Sequence, residues 1–134
     1  MSGKPAAKSK AKKAGPLIFV VDDEPMLLDL AAVILEPQGY VIRTFRDPEN
    51  ALQAFKDAQP RPTLLITDYA MHSMNGMQLV EKFRALEPHQ KILLVSGTVG
   101  EDIFREAKAK PDRFLAKPYQ AEQLTNSVKE LLAA

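Results

Sequence analysis

The sequence predicts an α/β domain: a doubly wound, five-stranded parallel sheet flanked by five helices. Two observations carry that expectation. Short apolar, β-branched runs alternate five times with segments whose apolar residues recur at helical spacing. The runs at 17–21, 63–67 and 91–96 are also apolar at nearly every position. Strands buried on both faces read this way, and right-handed crossovers between parallel strands place helices on both sides of such a sheet.

The elements follow in order from residue 16. "LIFVV" (17–21) is the first strand. Residues 25–37 carry Leu27, Leu30, Ala31, Ile34 and Leu35 at helical spacing, with Gly39 just beyond, and predict the first helix. Asp23 or Glu24 would cap it, with Pro25 in its first turn. "YVIRTF" (40–45) alternates as a strand does, and residues 48–58 form a second helix on Leu52 and Phe55. "TLLIT" (63–67) is the third strand, and residues 77–86 place Val80 and Phe83 on one face of a third helix. "KILLVS" (91–96) precedes a fourth helix over 100–109 with Ile103 and Ala107 on its apolar face. "RFLA" (113–116) precedes a fifth helix over 121–133, on Leu124, Val128 and Leu131.

Composition narrows the function. The 134 residues suit one domain, and 46% hydrophobic content supports a real core. The absence of Cys excludes disulfides and thiolate chemistry. No run reaches the roughly 20 apolar residues needed to cross a bilayer, and no apolar stretch follows the basic start as in a secretory signal. The cytoplasm is the expected location. Residues 1–15 hold Lys4, Lys8, Lys10, Lys12 and Lys13 with no acid, and read as a disordered, solubilising tail. Its sharper reading is a handle for an acidic partner, nucleic acid or anionic lipid. Without those five lysines, 13 basic residues face 17 acidic ones, so the body is acidic.

In open parallel sheets, function gathers beyond the carboxyl ends of the strands. There the first strand ends in Asp22 and Asp23, the third in Asp68, the fourth in Ser96 and the fifth in Lys117. Each has an ordinary reading as a cap, turn or solvated charge. Together they place three carboxylates, a hydroxyl and an ammonium on one edge. One Mg²⁺ and one Lys would balance the three negative charges, and Mg²⁺ takes carboxylates while keeping waters.

"VVDDEP" (20–25), "LLITDYAMHSMNG" (64–76), "VSG" (95–97) and "FLAKPY" (114–119) together resemble the signature segments of two-component response regulator receiver domains, the chemotaxis type. The resemblance spans residues 16–134. It implies the flavodoxin-like strand order 2-1-3-4-5. It implies that Asp68 is the phosphoacceptor for a sensor histidine kinase or His-phosphotransfer protein. Asp23, Asp68 and the backbone carbonyl of Ala70 would ligate Mg²⁺ (or Mn²⁺), and Asp22 would act on it mainly through water. Ser96 and Lys117 would contact phosphoryl oxygens. Phe114 would be the rotamer-switching aromatic, and the Lys117–Pro118 bond would be cis. Activity would be limited to self-directed phosphotransfer and autodephosphorylation. Output would pass through a surface of the fourth helix, fifth strand and fifth helix to a downstream protein target. Because the fifth helix ends near Ala134, the expectation is a stand-alone receiver without a DNA-binding domain, acting as a switch or as a shuttle in a phosphorelay.

The chain departs from that family at several positions. His72 stands where the family usually has proline. It reads first as a solvated loop residue and second as a group approaching the pocket. Ala70 replaces a longer polar side chain, and Phe114 lacks a tyrosine hydroxyl. Met71, Met74 and Met77 read as packing residues, since Mg²⁺ avoids sulfur. A haloacid-dehalogenase-style phosphatase would want a second Asp at position 70. A phosphorylation-independent module would not need the intact set, and an FMN site would be repelled by "DDEP".

Overall fold

The computed structural model describes residues 15–57, 60–98, 100, 102, 105 and 107–133. Its elements are β1 (Leu17–Val21), α1 (Pro25–Leu35), a 3-10 turn (Glu36–Gln38), β2 (Val41–Phe45), α2 (Pro48–Asp57) and β3 (Leu64–Asp68). They continue with α3 (Gly76–Leu86), β4 (Lys91–Ser96), β5 (Arg113–Ala116) and α4 (Ala121–Ala133). The α4 segment is the fifth helix expected from the sequence. The expected tail lies outside the described residues, Gly15 excepted, and so do residues 101, 103, 104 and 106 of the expected fourth helix; residues 107–109 are described and are not helical, so that helix does not reach 109 as expected.

The five strands are parallel in the order β2-β1-β3-β4-β5, the doubly wound arrangement expected. Strand parity divides the interior into two layers. Ile18, Val20, Leu64, Ile66, Leu93 and Val95 face α1 and α4, where they meet Leu28, Ala31, Leu35, Leu124, Val128 and Leu131. Phe19, Val21, Leu65 and Ile92 face α2 and α3, where they meet Ala51, Phe55, Leu79, Val80 and Phe83. The Phe55 and Phe83 rings lie 4.3 Å apart at their centroids. Burial on both faces explains why β1, β3 and β4 are apolar at nearly every position before their polar ends.

Two expectations for α1 are corrected. Its buried face is Leu28, Ala31 and Leu35, while Leu30 is 43% exposed and Leu27 and Ile34 are only partly covered. The helix is apolar on nearly every side, so periodicity alone does not select a face. Glu24 occupies the N-cap position but makes no side-chain cap bond. Instead Asp22 turns the chain, its Oδ1 accepting the Glu24 N–H at 2.9 Å. The helix stops where Pro37 forces a 3-10 turn, and Gly39 closes it at φ 100°, a left-handed conformation that glycine adopts without a Cβ penalty.

Candidate functional site

Register brings the strand ends level. Val21 pairs with Thr67, so Asp22 and Asp68 stand side by side, and Asp68 pairs with Val95. Ser96 pairs with Ala116, which puts Lys117 one residue beyond. The ladder runs past the strands: Tyr69 N–H donates to the Val95 carbonyl at 2.9 Å, and Lys117 N–H to the Ser96 carbonyl at 2.9 Å. Asp22, Asp68 and Lys117 continue the parity of Val20, Ile66 and Leu115, so all three project over the α1/α4 layer.

Lys117 Nζ lies 3.0 Å from Asp68 Oδ1 and 3.1 Å from Asp22 Oδ2. Asp22 is thereby pinned through both oxygens, one to Lys117 and one to the Glu24 amide. Asp22, Asp23 and Asp68 each offer a carboxylate oxygen within 4.8 Å of the others. Such an all-oxygen donor set suits a hard divalent cation. The three carboxylates therefore fit a metal, with Asp23 less committed to protein partners than Asp22.

Burial pushes the Asp68 carboxyl above its ordinary range, and the neighbouring Asp22 charge adds to the effect, while Lys117 opposes both. Burial works against the Lys117 charge, but its hydrogen bonds to Asp68 and Asp22 outweigh this and hold the ammonium above its ordinary value. The two directions are compatible. The ion pair is attractive, yet for Asp68 it does not fully offset desolvation beside a second carboxylate.

The rest of the predicted set is placed as follows. Ser96 is buried, and its Oγ accepts the Thr98 N–H at 3.1 Å. Phe114 is half-buried on β5, and Ala70 is exposed just past Asp68. The Lys117–Pro118 bond is cis, as expected. Met71 and Met74 pack against the α2/α3 layer, in keeping with their packing role. His72 is solvated, yet its Nδ1 lies 3.4 Å from Asp23 Oδ2.

Sequence reasoning gave no role to Gly76, Thr98 or Tyr119. Gly76 N–H donates to the Tyr69 carbonyl at 2.8 Å, and a Cβ at this position would lie 2.5 Å from the Asp68 carbonyl oxygen. Only glycine lets α3 start so close to the acceptor strand. A reciprocal capping box between Asn75 and Gln78 fixes that start. The N-x-x-Q spacing was a readable signal for it. Thr98 stands at the spacing of a serine turn. Tyr119 is half-buried beside the pocket, and burial raises its hydroxyl above the ordinary value.

Comparison with known proteins accords with this geometry. Residues 18–129 match the model of the response regulator receiver domain family. The chain is 27% identical over 119 residues to the response regulator receiver protein CpdR of Brucella abortus, covering 87% of this chain and 97% of CpdR. It is 28% identical over 116 residues to the probable transcriptional regulatory protein TcrX of Mycobacterium tuberculosis, but spans only about half of that protein (49%). Among solved structures, the CheY-like receiver domain protein of Methanospirillum hungatei superposes with a TM-score of 0.81 at 28% identity, covering 88% of this chain and 94% of the other. TrrA of Thermotoga maritima, solved in complex with Mg²⁺-BeF, gives 0.76 at 28% identity, covering 87% and 99%. With its family model covering most of the described sheet and all of its strand-end residues from Asp22 to Lys117, the chain belongs to the response regulator receiver domain family.

Proposed function

We propose that this domain accepts a phosphoryl group on Asp68 from a phosphohistidine partner and signals by a change of conformation. The observation that carries the proposal is the Lys117 ammonium, 3.0 Å from Asp68 Oδ1 and 3.1 Å from Asp22 Oδ2 at the end of a parallel sheet. Phosphoryl transfer needs positioning and charge stabilisation more than covalent help from the protein. Lys117 orients Asp68 through Oδ1 and leaves Oδ2 to attack phosphorus. The new bond is Asp68 O–P, the bond broken is P–N of the donor imidazole, and the imidazole keeps the electron pair and takes up a proton. The ammonium then pairs with a phosphoryl oxygen.

Asp23, Asp68 and the Ala70 carbonyl would hold Mg²⁺ (or Mn²⁺), with Asp22 acting through water. When bound, the ion would neutralise carboxylate repulsion and orient a phosphoryl oxygen. The Mg²⁺-BeF complex of TrrA, a structural relative, supports this reading.

Ser96 would exchange its turn with Thr98 for the phosphoryl group, and Phe114 would follow. The output surface would comprise β5, α4 and the expected fourth helix, read by a protein target. The domain would catalyse only its own phosphorylation and dephosphorylation. A match to the sensor kinase CckA of Brucella abortus, 27% identical over 133 residues and covering 14% of that protein, supports a kinase-linked setting. No described helix is long and apolar enough to cross a membrane.

The test is incubation with acetyl phosphate and Mg²⁺, read by intact mass. One phosphoryl group on wild type and none on Asp68→Asn are expected. An equal adduct on the variant, or none on wild type, refutes the proposal.

A further inference from the structure

We propose that the amino-terminal edge of the sheet, with the lysines at residues 4–13, binds the phosphate backbone of double-stranded nucleic acid without reading its sequence. The acceptor edge then faces away from that partner.

Charge is sorted along the strands. At the carboxyl edge stand Asp22, Asp23, Glu24, Asp47, Glu49 and Asp68, opposed by Arg46 and Lys117. At the amino edge stand Arg61, Lys91, Lys108 and Lys110, the last two exposed. Glu36, Asp57 and Glu87 oppose them and are offset in part by Lys56 and Lys129. Arg84 pairs with Asp112 and Arg113 with Glu130, so these four add no net charge.

The basic segment joins the fold at this same edge. The Pro16 carbonyl accepts the Val41 N–H at 2.9 Å, and Gly15 packs so closely on Gly39 that no Cβ would fit. Chain length alone keeps Lys13 and Lys12 within about 7 and 11 Å of Gly15. Pro16 also lines a cleft of about 430 Å³ with Arg61, His89, Lys91 and Glu87. Lys91 Nζ donates to the Leu131 carbonyl at 2.7 Å, and the Arg61 guanidinium stacks 4.5 Å from the Phe55 ring centroid, so both are held at the edge. Neighbouring strands lie about 4.8 Å apart, so the cations ahead of β1, β3, β4 and β5 form a row of roughly 14 Å. A duplex, with about one charge per 1.7 Å of its axis, suits such a row.

The sequence also selects the partner. Residues 1–15 contain no aromatic residue on which an unpaired base could stack. Beyond Met1 they hold no large apolar side chain to enter a bilayer. Basic amino-terminal arms of this kind suit nucleic acid. The body as a whole is acidic, but its acidic edge lies about 17 Å away across five residues of strand. That is about two Debye lengths at physiological salt, so a polyanion feels the amino edge first and the domain docks in one orientation.

The full chain is titrated into a fluorescent duplex of about 20 base pairs and arbitrary sequence, with binding read by anisotropy. Five phosphate contacts give a slope of about −4.5 in log K against log salt. Affinity should then fall roughly 500-fold between about 50 and 200 mM KCl. A duplex of unrelated sequence should bind equally well. Lys4→Gln, Lys8→Gln, Lys10→Gln, Lys12→Gln and Lys13→Gln together should abolish binding. Lys108→Gln with Lys110→Gln should weaken it and make the slope shallower by about one to two. Glu87→Gln, at the amino edge, should tighten binding about twofold, while Glu49→Gln, at the carboxyl edge, should leave it unchanged.

No binding by wild type at the lower salt, a slope flatter than about −2, or equal binding by the five-fold Gln variant overturns the proposal. So does an unchanged slope in Lys108→Gln with Lys110→Gln, or an equal effect of Glu87→Gln and Glu49→Gln. Binding to phosphatidylserine vesicles with none to duplex assigns the edge to lipid and overturns it as well.

Discussion

Replacing Asp68 by Asn removes the acceptor charge while keeping its shape, and the structure predicts that the resting protein becomes more stable. Asp68 attracts Lys117 at 3.0 Å by roughly 5.5 kcal/mol at an effective dielectric of 20. The amide oxygen retains about 2 kcal/mol of that as a hydrogen bond to a charged donor. Against the loss stands repulsion from Asp22, roughly 3.5 kcal/mol for oxygens no more than 4.8 Å apart. The pair interactions nearly cancel, so desolvation of a buried carboxylate decides the outcome. The expected gain at neutral pH without Mg²⁺ is about 1–3 kcal/mol.

The pH dependence follows from the raised Asp68 carboxyl. The fold binds that proton more tightly than the unfolded chain does. The wild-type contribution is therefore full below the ordinary value of 3.8 and is lost as pH rises through the higher folded value. Asn does not titrate, so its advantage should vanish at the acid end and be complete at neutral pH. Urea unfolding over a pH series in EDTA measures both. A variant less stable than wild type at neutral pH, or an advantage independent of pH, would refute the reasoning. Mg²⁺ at a hundredfold over its Kd should add about 2.7 kcal/mol to wild type and offset most or all of the Asn advantage.

Phe83→Ala should cost about 3–5 kcal/mol in urea unfolding, because the ring is fully buried against Phe55. Gly76→Ala should cost about 1–3 kcal/mol. It should also slow acetyl phosphate labelling, since the new methyl meets the Asp68 carbonyl, Leu94 and Tyr69. Lys117→Ala should lower the labelling rate about a hundredfold, read by the time course of intact mass, while Mg²⁺ binding persists.

The centre of the sheet was legible because β1, β3 and β4 are buried on both faces. "LIFVV" and "KILLVS" have no other economical use in a chain of this size. The strand ends were legible for the same reason, since a polar residue closing an apolar run marks where the chain leaves the interior. What a single chain position does not carry is orientation. In α1, Met26, Leu30 and Val33 are exposed although they are as apolar as Leu28. The helix has only Asp29 to mark a polar side, so tertiary packing against α4 selects the face. Proximity across loops was equally hidden. The approach of His72 to Asp23 depends on where the β3–α3 loop is strapped, through Gly76 and Tyr69, and no local pattern encodes it.

The parity of Asp22, Asp68 and Lys117 has a mechanical consequence. All three stand over the layer formed with α1 and α4, and none over the layer of Phe19, Phe55 and Phe83. The sheet thus resembles a plate loaded from one side. A charge added at the rim presses first on α1 and α4, while the aromatic layer beneath serves as the anvil against which the displacement is measured. Hydrogen exchange should then divide along the plane of the sheet, with α1 and α4 amides responding to modification and α2 amides keeping their rates.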